Sequence, residues 1–290
     1  MKRFLFKLLP ITGMLIKWGS AHAAVSCTIA ATSLTGIAFN PASALQLTGT
    51  VSGNCTLTGG NANNVNTFYI GIGQGGRTPR SMLQTAPNVV IYEINKSAGA
   101  GVWNEAAGTA VPTTAGGVIF TLTGNRGTPQ PYSYTFFLNI PAQPTAPVGA
   151  YTDLLTATIR VGTTVAGTNP VSATINLAAT IAPDCRFSTN PSALNLNYTS
   201  FATTAATGTS NFSLNCTAGT SYSQAVAPAT GTALGVNYSL ALSATTGLIG
   251  NAAAQNYTVT GTAALGQSGT CATSGVLCSA ANPHVITVTY

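Results

Sequence analysis

Charged side chains are scarce in this chain of 290 residues. It contains 4 acidic and 10 basic residues and 2 histidines, so charged residues make up 5% of the sequence, against about 25% in typical soluble proteins. Acid–base and metal chemistry depend on carboxylates and imidazoles, so this scarcity argues against an enzyme and predicts no catalytic residue, metal site or cofactor. It also argues against a nucleic-acid partner, because that binding needs basic side chains against several phosphates. A hydrophobic share of 45% still supports a folded core.

The first residues carry much of the positive charge. Lys2 and Arg3 precede the apolar stretch Phe4–Ile16, and Ala21–Ala23 has the small-residue pattern of a cleavage site. This pattern predicts a secretory signal peptide over residues 1–23, because the apolar stretch is shorter than the roughly 20 residues of a membrane-spanning helix. Its removal lowers the net charge from +6 to +2, since four basic residues lie within it. We therefore expect an exported chain without a basic surface patch.

Two predicted strands each place a cysteine on their buried face. Leu47, Val51 and Cys55 alternate with polar residues, and so do the side chains of Phe212–Cys216, as expected of half-buried strands. Upstream cysteines lie 28 and 31 residues earlier, and six cysteines in an exported chain are typical of disulfides. We predict three disulfides: Cys27 with Cys55, Cys185 with Cys216, and Cys271 with Cys278. The repeated spacing predicts two related modules, residues 24–180 and 181–290.

Alternation of apolar and polar residues continues along most of the chain. Further predicted strands of this kind are Tyr132–Ile140, Tyr151–Val161, Val171–Leu177, Val236–Leu242 and Ile286–Tyr290. Clusters of Gly, Asn, Pro and Thr separate them, as turns require. No helical periodicity follows the signal segment. The pattern predicts an all-β protein built from antiparallel β-sandwiches.

Four sequence features are weak candidates for chemistry. Gly71–Gly76 matches G-x-G-x-x-G, but no helix follows it, so we interpret it as a glycine-rich loop. His284 has no acidic neighbour in sequence, which argues against a Ser–His–Asp triad. Glu93 and Glu105 flank a predicted hairpin and are interpreted as solvated charges rather than a glycosidase pair. Asp153 lies on an apolar strand face, where we expect it to accept backbone N–H bonds at a sheet corner.

Two segments resemble the spore coat protein U domain family. Pro147–Asp153 reads P-x-G-x-Y-x-D and precedes a β-rich run, and Val90–Asn95 with Val102 downstream is similar to the family's mid-domain hairpin. The resemblance implies immunoglobulin-like sandwiches in secreted subunits of archaic, Csu-type chaperone–usher pili. In that family each pilin lacks its last strand. A periplasmic chaperone fills the gap first, and the amino-terminal strand of an adjacent subunit fills it after assembly at an outer-membrane usher.

The two modules differ at their carboxyl ends. In the first module the Tyr151–Val161 strand is followed by Val171–Leu177, so we expect this module to complete itself. The second module stops at Tyr290, and we expect Ile286, Val288 and Tyr290 to edge a groove that accepts a donated strand. The segment before Cys27 is too short to serve as a donor strand. A chain that accepts but does not donate is expected at the pilus tip, which in this family is the place of the two-domain adhesin.

Loops of the first module are the expected surface-binding region. The spans are 57–67, 97–116 and 162–170, and the residues expected to contact a host or abiotic surface and support biofilm formation are Val102, Trp103, Val111 and Val165. The resemblance implies exposed apolar loop tips that adhere to hydrophobic material. Trp103 has an alternative place, packed within its own hairpin. The alternative functions are a non-adhesive structural cap or secreted coat subunit, and a carbohydrate-binding module.

Overall fold

The computed structural model describes residues 25–58, 65–73, 75–98, 100–103, 116–123, 126–162, 167–271 and 277–290. Within these residues all regular secondary structure is β-strand, and no helix there is long and apolar enough to cross a membrane. The predicted signal peptide, Glu105, Val111 and Val165 lie outside the described residues. The all-β prediction is confirmed.

The first module forms a sandwich of two sheets. Its strands are β1 (Val25–Cys27), β2 (Ala30–Ala31), β3 (Leu34–Ala38), β4 (Leu45–Leu57), β5 (Val65–Ile72), β6 (Ser81–Leu83), β7 (Val89–Ile91), β8 (Glu93–Ser97), β9 (Ala100–Val102), β10 (Val118–Thr123), β11 (Gln130–Ile140), β12 (Gly149–Val161) and β13 (Thr168–Ile181). One sheet has the order β1–β4–β11–β8–β9, and β2 pairs with β4. The other has the order β10–β5–β12–β13–β3, and the β6–β7 hairpin joins it at β12.

Alternating side chains build the core between these sheets. Phe136 and Leu138 on β11 and Tyr151, Leu155 and Ile159 on β12 are fully buried. On β12 the alternate residues Thr152, Leu154 and Thr156 are exposed, as a strand with one buried face requires. The core is one continuous cluster that draws residues from both sheets. Burial of these side chains is the main stabilising contribution, at about 25 cal/mol per Å² of apolar surface.

The last strand of the first module closes its second sheet. β13 pairs antiparallel with β12, from Gly149 opposite Ile181 to Val161 opposite Thr168. Its other edge pairs parallel with β3. Side chains of β13 that face the core are fully buried: Ile175, Leu177, Ala179 and Ile181. In the described residues β13 therefore covers the edge of β12 and lies between β12 and β3.

The second module repeats this plan with fewer strands. They are β14 (Cys185–Thr189), β15 (Ala206–Cys216), β16 (Ser221–Ala227), β17 (Thr230–Ala233), β18 (Val236–Leu242), β19 (Leu248–Ile249), β20 (Ala254–Ala263) and β21 (Val285–Thr289). One sheet has the order β14–β15–β20–β18–β17, which matches β1–β4–β11–β8–β9. The other has the order β19–β16–β21, which matches β10–β5–β12. Counterparts of β13 and β3 are missing from the described residues of this module.

The disulfides join the same three cysteine pairs that the sequence predicts. Cys27 lies opposite Cys55 in the β1–β4 ladder, and Cys185 lies opposite Cys216 in the β14–β15 ladder. In both pairs the Cα atoms are 4.1 Å apart. The third disulfide joins Cys271 and Cys278. Each of the two longer loops is closed by a bond worth about 3.5 kcal/mol in the chain-entropy model.

Candidate functional site at the open edge of the second module

One edge of β21 has no strand beside it in the described part of the chain. On its other side β21 pairs antiparallel with β16, with Ile286 opposite Val226 and Val288 opposite Gln224. Ile286 and Val288 are half-buried and pack against the core of the module. Tyr290 follows the end of the strand and is exposed. In the first module the corresponding edge, that of β12, is covered by β13.

The segment 191–198 packs against the core of the module through Leu194. From Leu194 to Tyr198 its side chains alternate between half-buried and exposed. Two contacts hold its backbone on β15. The Ser210 hydroxyl donates to the Ser192 carbonyl oxygen at 2.6 Å, and the Asn195 carbonyl oxygen lies so close to Gly208 that a Cβ there would be 2.2 Å from it. In chain order the segment lies between β14 and β15, as β3 lies between β1 and β4, and it has no strand to pair with among the described residues. We name the open edge of β21 together with 191–198 the groove.

The core beneath the groove is small. Its fully buried cluster consists of six residues: Phe212, Leu214, Cys216, Tyr222, Tyr257 and Val259. Gln224 is buried on the same face, and neither its Nε2 nor its Oε1 has a hydrogen-bond partner among the described residues. A cavity of about 400 Å³ opens near the end of β21, between β16, β19 and Tyr290. The core beside β16 and β21 is therefore incompletely packed.

The predicted surface-binding residues differ in their exposure to solvent. Trp103 is fully buried, so its assignment as a surface-binding residue is wrong. Its indole Nε1 donates to the Ile70 carbonyl oxygen at 3.1 Å, and its backbone N–H donates to the Ile94 carbonyl oxygen at 2.7 Å. Tryptophan buries a large apolar area while this one polar atom is satisfied. Val102 is exposed at the end of β9, whereas Val111 and Val165 lie outside the described residues.

Asp153 belongs to a buried polar cluster rather than to a sheet corner. Its carboxylate accepts hydrogen bonds from the Arg77 guanidinium at 3.3 Å and from the Tyr92 hydroxyl at 2.5 Å. The Leu154 backbone N–H is a third donor, at 2.9 Å. Burial, followed by the hydrogen bond to Asp153, raises the pKa of Tyr92 above its ordinary value. Sequence reasoning missed Arg77 and Tyr92, although a lone acid on an apolar strand face signals that a partner is needed.

Arg80 extends this cluster. It is buried, and its Nη2 donates to the carbonyl oxygens of Ile72 and Gly73 at 2.6 and 3.0 Å. Burial lowers the pKa of Arg80, and the nearby Asp153 acts in the opposite direction. Together Arg77 and Arg80 fix residues 75–81 on the β5–β12 sheet. Of the glycine-rich segment before them, Gly71 and Ile72 belong to the end of β5, Gly75 and Gly76 lie in the turn that follows, and residue 74 is outside the described residues.

His284 bridges two backbone segments of the second module. Its Nε2 lies 2.8 Å from the Tyr238 hydroxyl and its Nδ1 lies 2.7 Å from the Pro228 carbonyl oxygen. Both ring nitrogens are therefore engaged next to the start of β21. Glu93 is exposed on β8. Among the described residues no three His, Cys, Asp or Glu side chains are grouped as metal ligands.

Several solved structures share the all-β architecture. One is the CsuC–CsuE chaperone–tip subunit complex of Acinetobacter baumannii archaic pili. It is 12% identical to this chain in sequence, the alignment covers 91% of this chain and 100% of that chain, and the TM-score is 0.43. The CupB6 tip adhesin of Pseudomonas aeruginosa is 10% identical, covers 92% of this chain and 96% of that chain, and has a TM-score of 0.38. A chaperone–tip adhesin complex of CFA/I fimbriae is 11% identical, with coverages of 89% and 95% and a TM-score of 0.27. At these scores the likeness assigns no function to this chain.

Sequence comparison gives a family for the first module. No curated protein matches the chain. The family model described as Spore Coat Protein U domain matches residues 15–158. The matched range contains the P-x-G-x-Y-x-D segment, in which Tyr151 and Asp153 are now seen to be buried on β12. Through residues 15–158 the chain belongs to the Spore Coat Protein U domain family.

Proposed function

We propose that the chain is a pilus subunit whose second module accepts a strand from another protein. The observation that carries this proposal is the contrast between its two modules. The same strand order is closed by β13 in the first module and is left open beside β21 in the second. A strand inserted between β21 and 191–198 would take the place that β13 takes between β12 and β3. This is strand addition to an open sheet edge.

The free-energy gain from such a strand can be estimated from the first module. β13 buries three large side chains, Ile175, Leu177 and Ile181, and the smaller Ala179. At about 1.5–3 kcal/mol for each large side chain, a comparable donor would contribute roughly 5–9 kcal/mol. A whole domain is stable by only about 5–15 kcal/mol. We therefore infer that the second module depends on its donor for stable folding.

The proposed partners follow from this dependence. A periplasmic chaperone would supply the strand after export, and the amino-terminal strand of an adjacent pilin would replace it at an outer-membrane usher. Membership of the Spore Coat Protein U domain family supports this route to the cell surface. The groove supports it independently, because an unfilled groove would expose Ile286, Val288 and Leu194 to aggregation.

We place the chain at the pilus tip and assign it a role in surface attachment and biofilm formation. With the first module closed by β13, we expect a neighbour to bind at the groove of the second module. The first module is then free to face outward. Val102, exposed beside the fully buried Trp103, is the best-placed described residue for apolar contact with a surface. Several such weak contacts become effective when many pili bind together.

Two neighbouring residues of β21 test the strand-acceptor role. Val288 faces the core, whereas Thr287 is exposed on the opposite face of the same strand. We expect Val288→Asp to abolish recovery of the chain with its chaperone and to remove it from pili. Thr287→Asp, the matched control, should leave both unchanged. Equal recovery of the two variants would refute strand acceptance.

A deletion strain tests the adhesive role. Cells that lack the chain are expected to lose attachment measured per pilus, and intact attachment with normal pili would contradict adhesion. The alternative is a non-adhesive cap, for which loss would change pilus number or length while adhesion per pilus stays constant. Immunogold labelling of the chain checks its position: label along the whole shaft would exclude the tip.

A further inference from the structure

At the junction between the two modules, the module that follows β13 contacts a loop of the first module. β13 ends at Ile181, beside the first residue of β12, and the chain then enters the second module. The loop before β12 contacts that module directly. The Val148 backbone N–H donates to the Ala218 carbonyl oxygen at 2.9 Å, and a Cβ on Gly219 would lie 3.2 Å from the Pro147 side chain. The loop that precedes β12 is therefore a seat for the module that follows.

The corresponding end of the second module lies at the start of β21. In the described structure no other module contacts this end. A strand added beside β21 and antiparallel to it, as β13 is to β12, would run from the Thr289 end toward the Val285 end. The protein attached to it would emerge next to the loop between β20 and β21. The turn between β17 and β18 and the residues before β15 lie at this same end, because Ala263 pairs with both Ala206 and Tyr238.

Gln267 holds these three loops together. Its backbone carbonyl oxygen accepts from the Phe201 N–H at 2.8 Å, and its backbone N–H donates to the Tyr198 hydroxyl at 2.7 Å. Its side chain exchanges two hydrogen bonds with the Asn237 backbone, at 2.7 and 2.9 Å. The Thr270 N–H donates to the Leu234 carbonyl oxygen at 2.7 Å. This end of the module is a built surface rather than a set of independent loops.

The surface presents large apolar side chains to solvent. Phe201 is 71% exposed and Leu265 is 59% exposed, and Leu234 is also exposed. Phe201 and Leu234 have φ angles of 58° and 48°; at Leu234 the two-residue turn between β17 and β18 requires this conformation. No Asp, Glu, Lys or Arg follows Arg186 in the sequence. Contacts made here would therefore be apolar or hydrogen-bonded.

We propose that Phe201, Leu234 and Leu265 form a docking platform for the folded body of the subunit whose strand fills the groove. The proposal rests on the strand-acceptor function and adds a second contact to it. Its occupant follows from the direction of the donated strand, and it lies at the end of the second module that corresponds to the end of the first module where Pro147 and Val148 make their contacts. A loop of the incoming subunit would bury these side chains as 217–220 covers the first module.

The test compares a whole subunit with its strand alone. The full chain is prepared in complex with the subunit recovered beside it from sheared pili, and separately with a synthetic peptide of that subunit's amino-terminal strand. Dissociation is followed by size exclusion at a fixed urea concentration. The variant is Phe201→Ser with Leu265→Ser. The control is Leu154→Ser, since Leu154 is 56% exposed on the outer face of β12 in the first module.

We expect the double variant to release the whole subunit at least about tenfold faster than the wild type, because it loses two buried apolar contacts. Release of the peptide should not change, and the control should match the wild type in both complexes. Unchanged release of the subunit would overturn the platform, and so would equal acceleration of the peptide. Faster release of the chaperone alone would assign the surface to a different occupant and refute the proposal. A wild-type chain that binds neither probe would refute strand acceptance itself.

Discussion

Filling the groove with a strand of the same chain should stabilise the second module. The change is to append a copy of residues 162–181, the loop and last strand of the first module, after Tyr290. This loop already joins two antiparallel neighbours in the first module, so it has the reach to fold the copied strand back beside β21. The strand would then occupy the groove as β13 occupies its own site.

The expected gain is large enough to measure without ambiguity. Three large side chains at about 1.5–3 kcal/mol each give roughly 5–9 kcal/mol, an upper estimate because unfolded chains already bury some apolar surface. A gain of only about 4 kcal/mol corresponds to a thousandfold change in an opening equilibrium. The backbone amides of β16 and β21 should therefore exchange with solvent at least about a thousandfold more slowly in the extended chain.

Hydrogen exchange read by mass spectrometry separates the two modules. In the unextended chain we expect fast exchange in β21 and slow exchange in β12, which serves as the internal reference. A matched control carries the same extension with Ile175→Asn and Leu177→Asn in the copied strand, and it should protect little. Protection of β21 equal to that of β12 before any extension would show that the second module is closed already, and the reasoning would fail.

Three further outcomes are expected. Arg77→Gln should lower the free energy of unfolding of the first module by about 3 kcal/mol in urea titration, because it leaves the buried Asp153 carboxylate without its ion-pair partner, whereas Asp153→Asn, which leaves only the partly exposed Arg77 without its partner, should cost about 1–2 kcal/mol; a larger loss for Asp153→Asn would contradict this reasoning. Gln224→Met should stabilise the second module by about 1–3 kcal/mol, since it removes a buried amide without partners; a loss of stability would show that the amide is paired. Val102→Asp should reduce attachment to polystyrene, while Ile119→Asp, equally exposed at 47% on β10, should not; equal attachment would remove Val102 from the binding surface.

Local periodicity explains why much of the fold could be predicted. A strand that faces a core shows it in every second residue, so Tyr151, Leu155 and Ile159 predicted a buried face that the structure confirms. The same alternation placed Cys55 and Cys216 on inward faces next to their partners. These features depend on neighbours in sequence, and elementary strand geometry is sufficient to read them.

Long-range contacts explain why the rest could not be predicted. Trp103 follows a short hairpin, where its exposure depends on an indole acceptor at Ile70, 33 residues away. Asp153 finds Tyr92 across 61 positions and Arg77 across 76. No local pattern specifies which of several bases or hydroxyls will meet a buried carboxylate. Only the packing of β5, β7 and β12 brings these groups together.

The near absence of charge in the second module bears directly on how it can be stabilised. Beyond Arg186 the sequence contains no Asp, Glu, Lys or Arg, so ion pairs between its own side chains cannot compensate for an incomplete core. The ion pair between Arg186 and Asp184 is exposed and contributes about 1 kcal/mol or less, and the other described polar contacts of the module are hydrogen bonds, each worth about 1 kcal/mol net. Apolar burial is then the remaining large term, and the groove is where that burial is unfinished. In the proposed function a donated strand would supply this missing apolar burial, so the proposed dependence on a partner would follow from the sequence as much as from the topology.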